Sequence, residues 1–216
     1  MASEPLPSVA RALSLDGSPE RLAEFYDEWA ARYDQEVGGD SYRAPQVTAS
    51  LVRACGESLA PLAADAQPSV IDAGCGTGLV GECLAELGYE CVDGFDLSNE
   101  MVEQARARGC YRRLWGGVDM SIPITVAPDG SYDVAVSTGV FTPGHVPASA
   151  LDHLVALVRP GGVAIVSTRH QYVADTDFDA RVDQMVAAGQ VTLVEHITEA
   201  PYTVDDTAQY WILQLD

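Results

Sequence analysis

The sequence predicts an α/β domain: a doubly wound, mostly parallel seven-stranded sheet with one late antiparallel strand and an N-terminal helical lid. Three observations predict it. Short apolar runs alternate with segments of helical periodicity along most of the chain. A glycine turn, "VIDAGCGTG" at 70–78, follows the first such run. Two strand-like segments end the chain with a turn but no helix between them, so one of them runs antiparallel to the rest. A length of 216 residues suits one such domain with a small addition. The expected organisation is a flexible N-terminus over 1–17, a helical lid over 18–60 and a core over 61–216.

Each element has its own reason. The N-terminal stretch is rich in Pro and Ser and reads as loose. "SPERLAEFYDEWAARYD" (18–34) is a helix: Ser18 caps it, Pro19 suits the first turn, and Leu22, Phe25, Trp29 and Tyr33 recur at helical spacing. "APQVTASLVRACGESLA" (44–60) is a second helix. "SVIDAG" (69–74) is a buried strand, followed by the helix "GLVGECLAELG" (78–88). "YECVDGFDLS" (89–98) is a strand whose Ser98 caps the helix "NEMVEQARARG" (99–109). "YDVAVSTG" (132–139) is counted as the fourth strand. "PASALDHLVALVRPGG" (147–162) is a helix closed by Pro-Gly-Gly, and "VAIVSTR" (163–169) the next strand. A helix near 175–188 and the strands "VTLVEHIT" (191–198) and "TAQYWILQL" (207–215) complete the chain.

Charge narrows the partners. The net charge is −20, from 12 arginines and no lysine against 32 acids. Such a surface repels phosphate backbones and anionic lipid, so neither nucleic acid nor membrane is expected as a partner. The acidity fits a high-salt setting or a source that favours Arg over Lys. Without lysine there is no P-loop lysine, Schiff base or lysine general base. The five cysteines (Cys55, Cys75, Cys83, Cys91, Cys110) show no C-x-x-C spacing, and the four histidines form no H-E-x-x-H cluster. No metal site and a reducing, cytoplasmic setting are expected. The N-terminus lacks the basic and apolar regions of a signal peptide. No stretch approaches the ~18 apolar residues of a membrane span.

The glycine turn is selective in what it can hold. A dinucleotide fingerprint needs a third glycine three residues past the second. Gly74 and Gly76 fit, but that position is Leu79, and the spacing is G-x-G-x-G with Gly78 between. Asp72, at the strand tip, repels a pyrophosphate and attracts a cation; alternatively, it bonds amides of its own turn. The following helix N-terminus offers amides to oxygen acceptors. Asp96 lies 20 residues past Gly76, where a carboxylate accepts both ribose hydroxyls or caps the next helix. S-adenosylmethionine satisfies every requirement: ammonium, carboxylate, ribose, sulfonium and no phosphate. Leu97 and Met101 are placed to pack on the adenine or to join the core. Asp119 is placed to accept from the adenine amine, with the Met120 amide as donor.

"VIDAGCGTG", "GFDLS" and "VRPGG" resemble the class I S-adenosylmethionine-dependent methyltransferases, which have a Rossmann-like fold. "FYDEWAARYDQEV", "DAGCGTGLVGE", "GYECVDGFDLSNEM", "YDVAVSTGVFTPGHVP" and "RPGGVAIVSTR" are similar, more narrowly, to the Williams–Beuren syndrome chromosome-region methyltransferase-like family. The resemblance covers about residues 22–170. It implies cofactor roles for Asp72, Gly74, Gly76, Asp96 and Asp119, and leaves the acceptor open.

Methyl transfer is an in-line displacement that asks for alignment and exclusion of water before anything else. The fourth strand ends in "STGVFTPGH" (137–145), at the expected rim, where Ser137 and Thr138 are placed to line the site. His145 is the candidate general base, or a loop histidine bonded to backbone. His170 is a weaker candidate at the next strand end; His153 and His196 read as helix and strand residues. The aromatic helix and Tyr42 are expected to fold over the cofactor, with Tyr26, Tyr33 and Tyr42 facing it, since a ring face stabilises a sulfonium. Trp29 reads as packing. The Pro-Pro-aromatic motif of nucleic-acid base methylation is absent; "STGV" stands there. A small-molecule acceptor is expected, yielding S-adenosylhomocysteine. The alternative is other chemistry on the same cofactor: cyclisation, decarboxylation or isomerisation.

Overall fold

A computed structural model of the chain describes residues 6–37, 41–56 and 67–216. The elements run α1 (Pro7–Leu13), α2 (Pro19–Glu36), α3 (Ala44–Gly56), β1 (Val70–Ala73), α4 (Leu79–Glu86), β2 (Val92–Phe95), α5 (Asn99–Arg108) and β3 (Arg113–Trp115). They continue with β4 (Tyr132–Phe141), α6 (Ala150–Ala156), β5 (Val158–Thr168), α7 (His170–Asp175), α8 (Phe178–Ala187), β6 (Val191–Pro201) and β7 (Thr207–Leu215).

Among the described residues, seven strands form one sheet in the order β3-β2-β1-β4-β5-β7-β6. The first five pair in parallel; β7 is antiparallel to both β5 and β6. The expected fold class is the observed one. β1 and β2 are short and buried at every position, as central parallel strands covered on both faces must be. Strand alternation sends Ile71, Ala73, Phe95, Ala135 and Val166 to one face, where α6 and α8 supply Leu151, Leu154, Phe178 and Val182. Val70, Val92, Val134, Val136 and Ile165 go to the other, against Ala49 and Val52 of α3 and Val80 and Leu84 of α4.

Two local readings change. Residues 7–13 form a helix where a loose terminus was expected. Ala12 packs with Phe25 and Trp29, so the aromatic face of α2 gives this segment something to bury against. The helix expected to end at Pro-Gly-Gly stops at Ala156 instead. Arg159–Gly162 lie inside β5 as an irregularity, the register with β4 stepping from Tyr132↔Val158 to Val134↔Val163. A Cβ on Gly162 would stand 2.6 Å from the Asp133 carbonyl oxygen, and Arg159 Nε donates to Asp133 at 2.6 Å. The expected second helix is described only to Gly56; its last turn, 57–60, and the 60/61 domain boundary lie outside the described residues, as do 1–5 and 38–40.

Candidate active site

The sheet reverses its strand order at β1, which has β2 on one side and β4 on the other. The carboxyl ends of strands at such a point diverge and leave a crevice. The turn after β1 lies in it. Gly74, Gly76 and Gly78 all have positive φ, at 75°, 53° and 91°, which glycine alone adopts without strain. A Cβ on Gly74 would meet Val140 Cγ2 at 2.3 Å. Above Gly76 nothing stands within 4 Å of such a Cβ, so its backbone is open to a ligand. Gly76 N–H donates to Asp96 Oδ2 at 2.8 Å.

These ends open into a cleft with about 800 Å³ of empty space, its mouth included. Gly74, Gly76, Asp96, Leu97, Met101, Asp119, Met120, Thr138, Tyr26, Tyr33 and His145 all line it. The cleft therefore gathers eleven of the residues that the sequence nominated. It also takes in Pro19, Leu22, Val118, Ser121, Val140 and Val146, which sequence reasoning missed. These are ordinary apolar and hydroxyl residues of α2, β4 and the connecting loops, with no local signal to mark them.

Five nominated residues lie elsewhere. Asp72 is 1 % exposed behind the glycine turn, where its Oδ2 accepts the Tyr111 hydroxyl at 2.6 Å. Burial pushes its carboxyl up to about 7, against the opposing Tyr111 hydrogen bond, and the Asp96 charge adds to the rise. It is not part of the cleft lining, where it was expected to attract a cation directly or through water. Gly78 packs beneath the turn on Ala105 and the Tyr111 ring. Ser137 Oγ turns inward and donates to the Ala73 carbonyl at 3.0 Å. Tyr42 stands edge-on to Tyr202, behind Gly139, whose Cβ would lie 2.9 Å from the Tyr42 hydroxyl. His170 bonds Thr207 Oγ1 at 3.0 Å, outside the cleft. His153 Nδ1 meets the Met120 carbonyl at 2.9 Å, His196 stacks on Trp211, and Trp29 is buried in the α1–α2 packing.

Asp96 is held by amides. Its Oδ1 accepts Ser98 N–H at 2.9 Å while Oδ2 holds Gly76. Burial raises its carboxyl, opposed by the Ser98, Gly76 and Leu97 amides. A carboxylate has about four lone-pair positions, so capacity remains for a ligand's hydroxyls. Asp119 bonds both the amide and the hydroxyl of Ser121, at 2.7 and 2.8 Å. Leu97, Met101 and Met120 flank the same space. A ribose at Asp96, a planar base between these side chains and a cation facing Tyr26 and Tyr33 fit this lining. So S-adenosylmethionine fits the residues present, Asp96 being the carboxylate that faces the cleft and Asp72 lying behind it.

Two carboxylates tie α2 over the cleft. Asp27 Oδ1 accepts the Ser98 hydroxyl at 2.5 Å and the Glu100 amide at 3.2 Å, at the N-terminus of α5. Asp34 accepts the Thr77 hydroxyl at 2.5 Å and pairs with Arg108. The sequence did carry a signal for them: Tyr26-Asp27 recurs as Tyr33-Asp34 seven residues on, two helical turns along one face.

A family model described as a methyltransferase domain matches residues 43–209. Methyltransferase-like protein 27 of Homo sapiens is 35% identical over 167 residues, 76% of this chain and 65% of that protein. A malonyl-[acyl-carrier protein] O-methyltransferase of Halalkalibacterium halodurans is 27% identical over 138 residues, 62% of this chain and 49% of that protein. The match thus spans less than two thirds of either curated relative. Among solved structures, magnesium protoporphyrin IX methyltransferase from Synechocystis, with bound S-adenosylmethionine, superposes with a TM-score of 0.67 at 15% identity, covering 100% of both chains. A methyltransferase chain complexed with the Trm112 activator of Haloferax volcanii gives 0.59 at 17%, covering 88% of this chain and 97% of that one.

Proposed function

The chain belongs to the methyltransferase-domain family, and from that premise we propose that it uses S-adenosylmethionine to methylate a small-molecule acceptor. The observation that carries the acceptor size is the roof. α2 lies across the cleft, held by Asp27 and Asp34, and the N-terminal segment reaches the rim, Gly17 N–H donating to the Gly144 carbonyl at 3.0 Å. A site enclosed in this way admits a small molecule more readily than a folded protein or a nucleic-acid duplex. The net charge of −20 argues further against a polyanion. A cytoplasmic setting belongs to the same reading, supported by the free state of all five cysteines.

The bound cofactor supplies an electrophilic methyl carbon on a sulfonium. The chain's own residues do the rest. Asp96 fixes a ribose through hydroxyl donors. The turn brings bare backbone close at Gly76, where no other atom stands over the chain. Tyr26 and Tyr33 present rings to positive charge. α2 keeps water out and holds the acceptor in line, an alignment that supplies up to roughly 7–11 kcal/mol of the barrier.

Incubation with methyl-labelled cofactor and a metabolite extract, followed by mass spectrometry, tests the reading. Labelled small molecules and S-adenosylhomocysteine are expected. Label in protein alone would refute the small acceptor, and methylthioadenosine without transfer would point to chemistry on the cofactor itself.

A further inference from the structure

A hydrogen bond in the cleft joins two elements distant in the chain. The Tyr26 hydroxyl of α2 lies 2.6 Å from His145 Nε2 in the loop after β4, although the two residues are 119 positions apart. His145 Nδ1 lies 2.9 Å from the Pro143 carbonyl. A carbonyl only accepts, so Nδ1 carries the proton, Nε2 carries the lone pair, and Tyr26 donates to it. Burial keeps this imidazole below its ordinary value, opposed by the Pro143 bond, and so favours the neutral ring. Tyr26 Oη retains acceptor capacity, and both residues line the cleft.

The charge of the lining is the second observation. All 12 arginines lie among the described residues, and there is no lysine. None of the arginines lines the cleft, and among the described residues its charged side chains are Asp96 and Asp119. Most are paired with acids elsewhere: Arg108 with Asp34 and Glu82, Arg112 and Arg113 with Asp93, Arg159 with Asp133. Leu22, Pro19, Val140 and Val146 make much of the remaining wall. A carboxylate or phosphate on the acceptor would meet no cation there and two anions.

We propose that Tyr26 and His145 form a proton relay for an uncharged, largely apolar acceptor bearing one O–H or N–H. This rests on the methyltransferase reading and specifies its substrate class. As the acceptor oxygen or nitrogen bonds to the methyl carbon, its proton passes to Tyr26 Oη and the Tyr26 proton passes to His145 Nε2. The S–CH₃ electron pair stays on sulfur. The products are the methylated acceptor, a neutral thioether and an imidazolium, so one positive charge enters the step and one leaves. Tyr26 touches the acceptor; His145 acts through it.

Phenol and benzoate, matched in ring and opposed in charge, are the probes, each titrated by calorimetry into protein saturated with S-adenosylhomocysteine. Phenol is expected to bind and benzoate to bind at least tenfold more weakly. Tyr26→Phe and His145→Gln should each weaken phenol roughly three- to tenfold, one hydrogen bond's worth, with continued binding of S-adenosylhomocysteine as the check on folding. Phenol affinity should rise with pH through the His145 titration, below the ordinary imidazole value, and be flat in His145→Gln. Of the groups that face the pair, Tyr33, Tyr202 and Asp96 act on Tyr26, and the Pro143 carbonyl acts on His145. Benzoate binding as well as phenol, no phenol binding up to its solubility limit, or phenol binding indifferent to both substitutions overturns the relay. Failure of S-adenosylhomocysteine itself to bind would instead overturn the methyltransferase reading.

Discussion

Asp72 and Asp96 stand at the ends of adjacent strands, yet their surroundings assign them different work. Asp96 lines the cleft and accepts two amides. Asp96→Ala removes the acceptor for a ligand's hydroxyls, and cofactor affinity should fall by about 1.5–3 kcal/mol. Titration calorimetry of a folded variant checks this; an unchanged affinity would leave Asp96 as a loop brace only. Asp72 is buried on Tyr111. Because its carboxyl is raised from 3.8 to about 7, the folded protein keeps a proton that the unfolded chain releases. Its stabilising contribution is therefore complete below the ordinary carboxylate value and is lost as pH rises through about 7. At ~1.4 kcal/mol per pH unit the loss is at most roughly 4 kcal/mol. Asp72→Asn should match the wild type near pH 4 and melt progressively higher relative to it toward pH 8. A melting difference that ignores pH would contradict this origin. Tyr111 also explains a glycine inside α4: a Cβ on Gly81 would lie 2.2 Å from its ring. Gly81→Ala should cost about 1–3 kcal/mol in denaturant melts, and less when Tyr111→Ala opens the space.

At the scale of elements, α2 decides whether the cleft is covered. It has no strand partner, and its hold on the core is polar at Asp27 and Asp34 and aromatic at Tyr26. The bonds of Asp27 and Asp34 to Ser98 and Thr77 are part-buried and contribute ~1.5–3 kcal/mol each at most, little beside the apolar burial of the sheet. The helix should therefore open well before the sheet does. Hydrogen exchange is expected to be faster in 19–36 than in β1 or β4, and slower in the presence of S-adenosylhomocysteine. Asp27→Ala, which takes the acceptor from the α5 N-terminus, should speed exchange across α2 without changing the sheet. Identical α2 protection with and without ligand would rule out its role as a lid.

For the whole molecule, the charge of −20 is the dominant long-range quantity. Arginines such as Arg159, Arg169 and Arg181 are each matched to an acid, so the excess carboxylates repel one another across the surface. Screening shortens from ~10 Å at 0.1 M salt to ~3 Å at 1 M. The melting temperature should rise by several degrees over that range of potassium chloride. A flat or falling response would mean that local pairing, and not net repulsion, governs the surface.

What the sequence by itself determined was what short-range pattern determines. Helical and strand periods and the cap at Ser98 act within a few residues, so most elements and the place of Gly74, Gly76 and Asp96 were legible, while α1 and the short β3 were not. The β6–β7 pair shows the limit. A turn at 201–206 required one antiparallel strand, but only packing chose which: β7 is buried through Tyr210–Leu213 and inserts beside β5, while β6, mostly exposed, takes the edge. Side-chain direction lay beyond the pattern as well. Asp72 turned from the cleft because Tyr111, 39 residues away, fills the space under the turn. Tyr26 met His145 because the aromatic face of α2, buried against α1, brings its hydroxyl to the rim loop. Partners so distant along the chain are selected by burial and close contact in the folded state, and no local pattern encodes them.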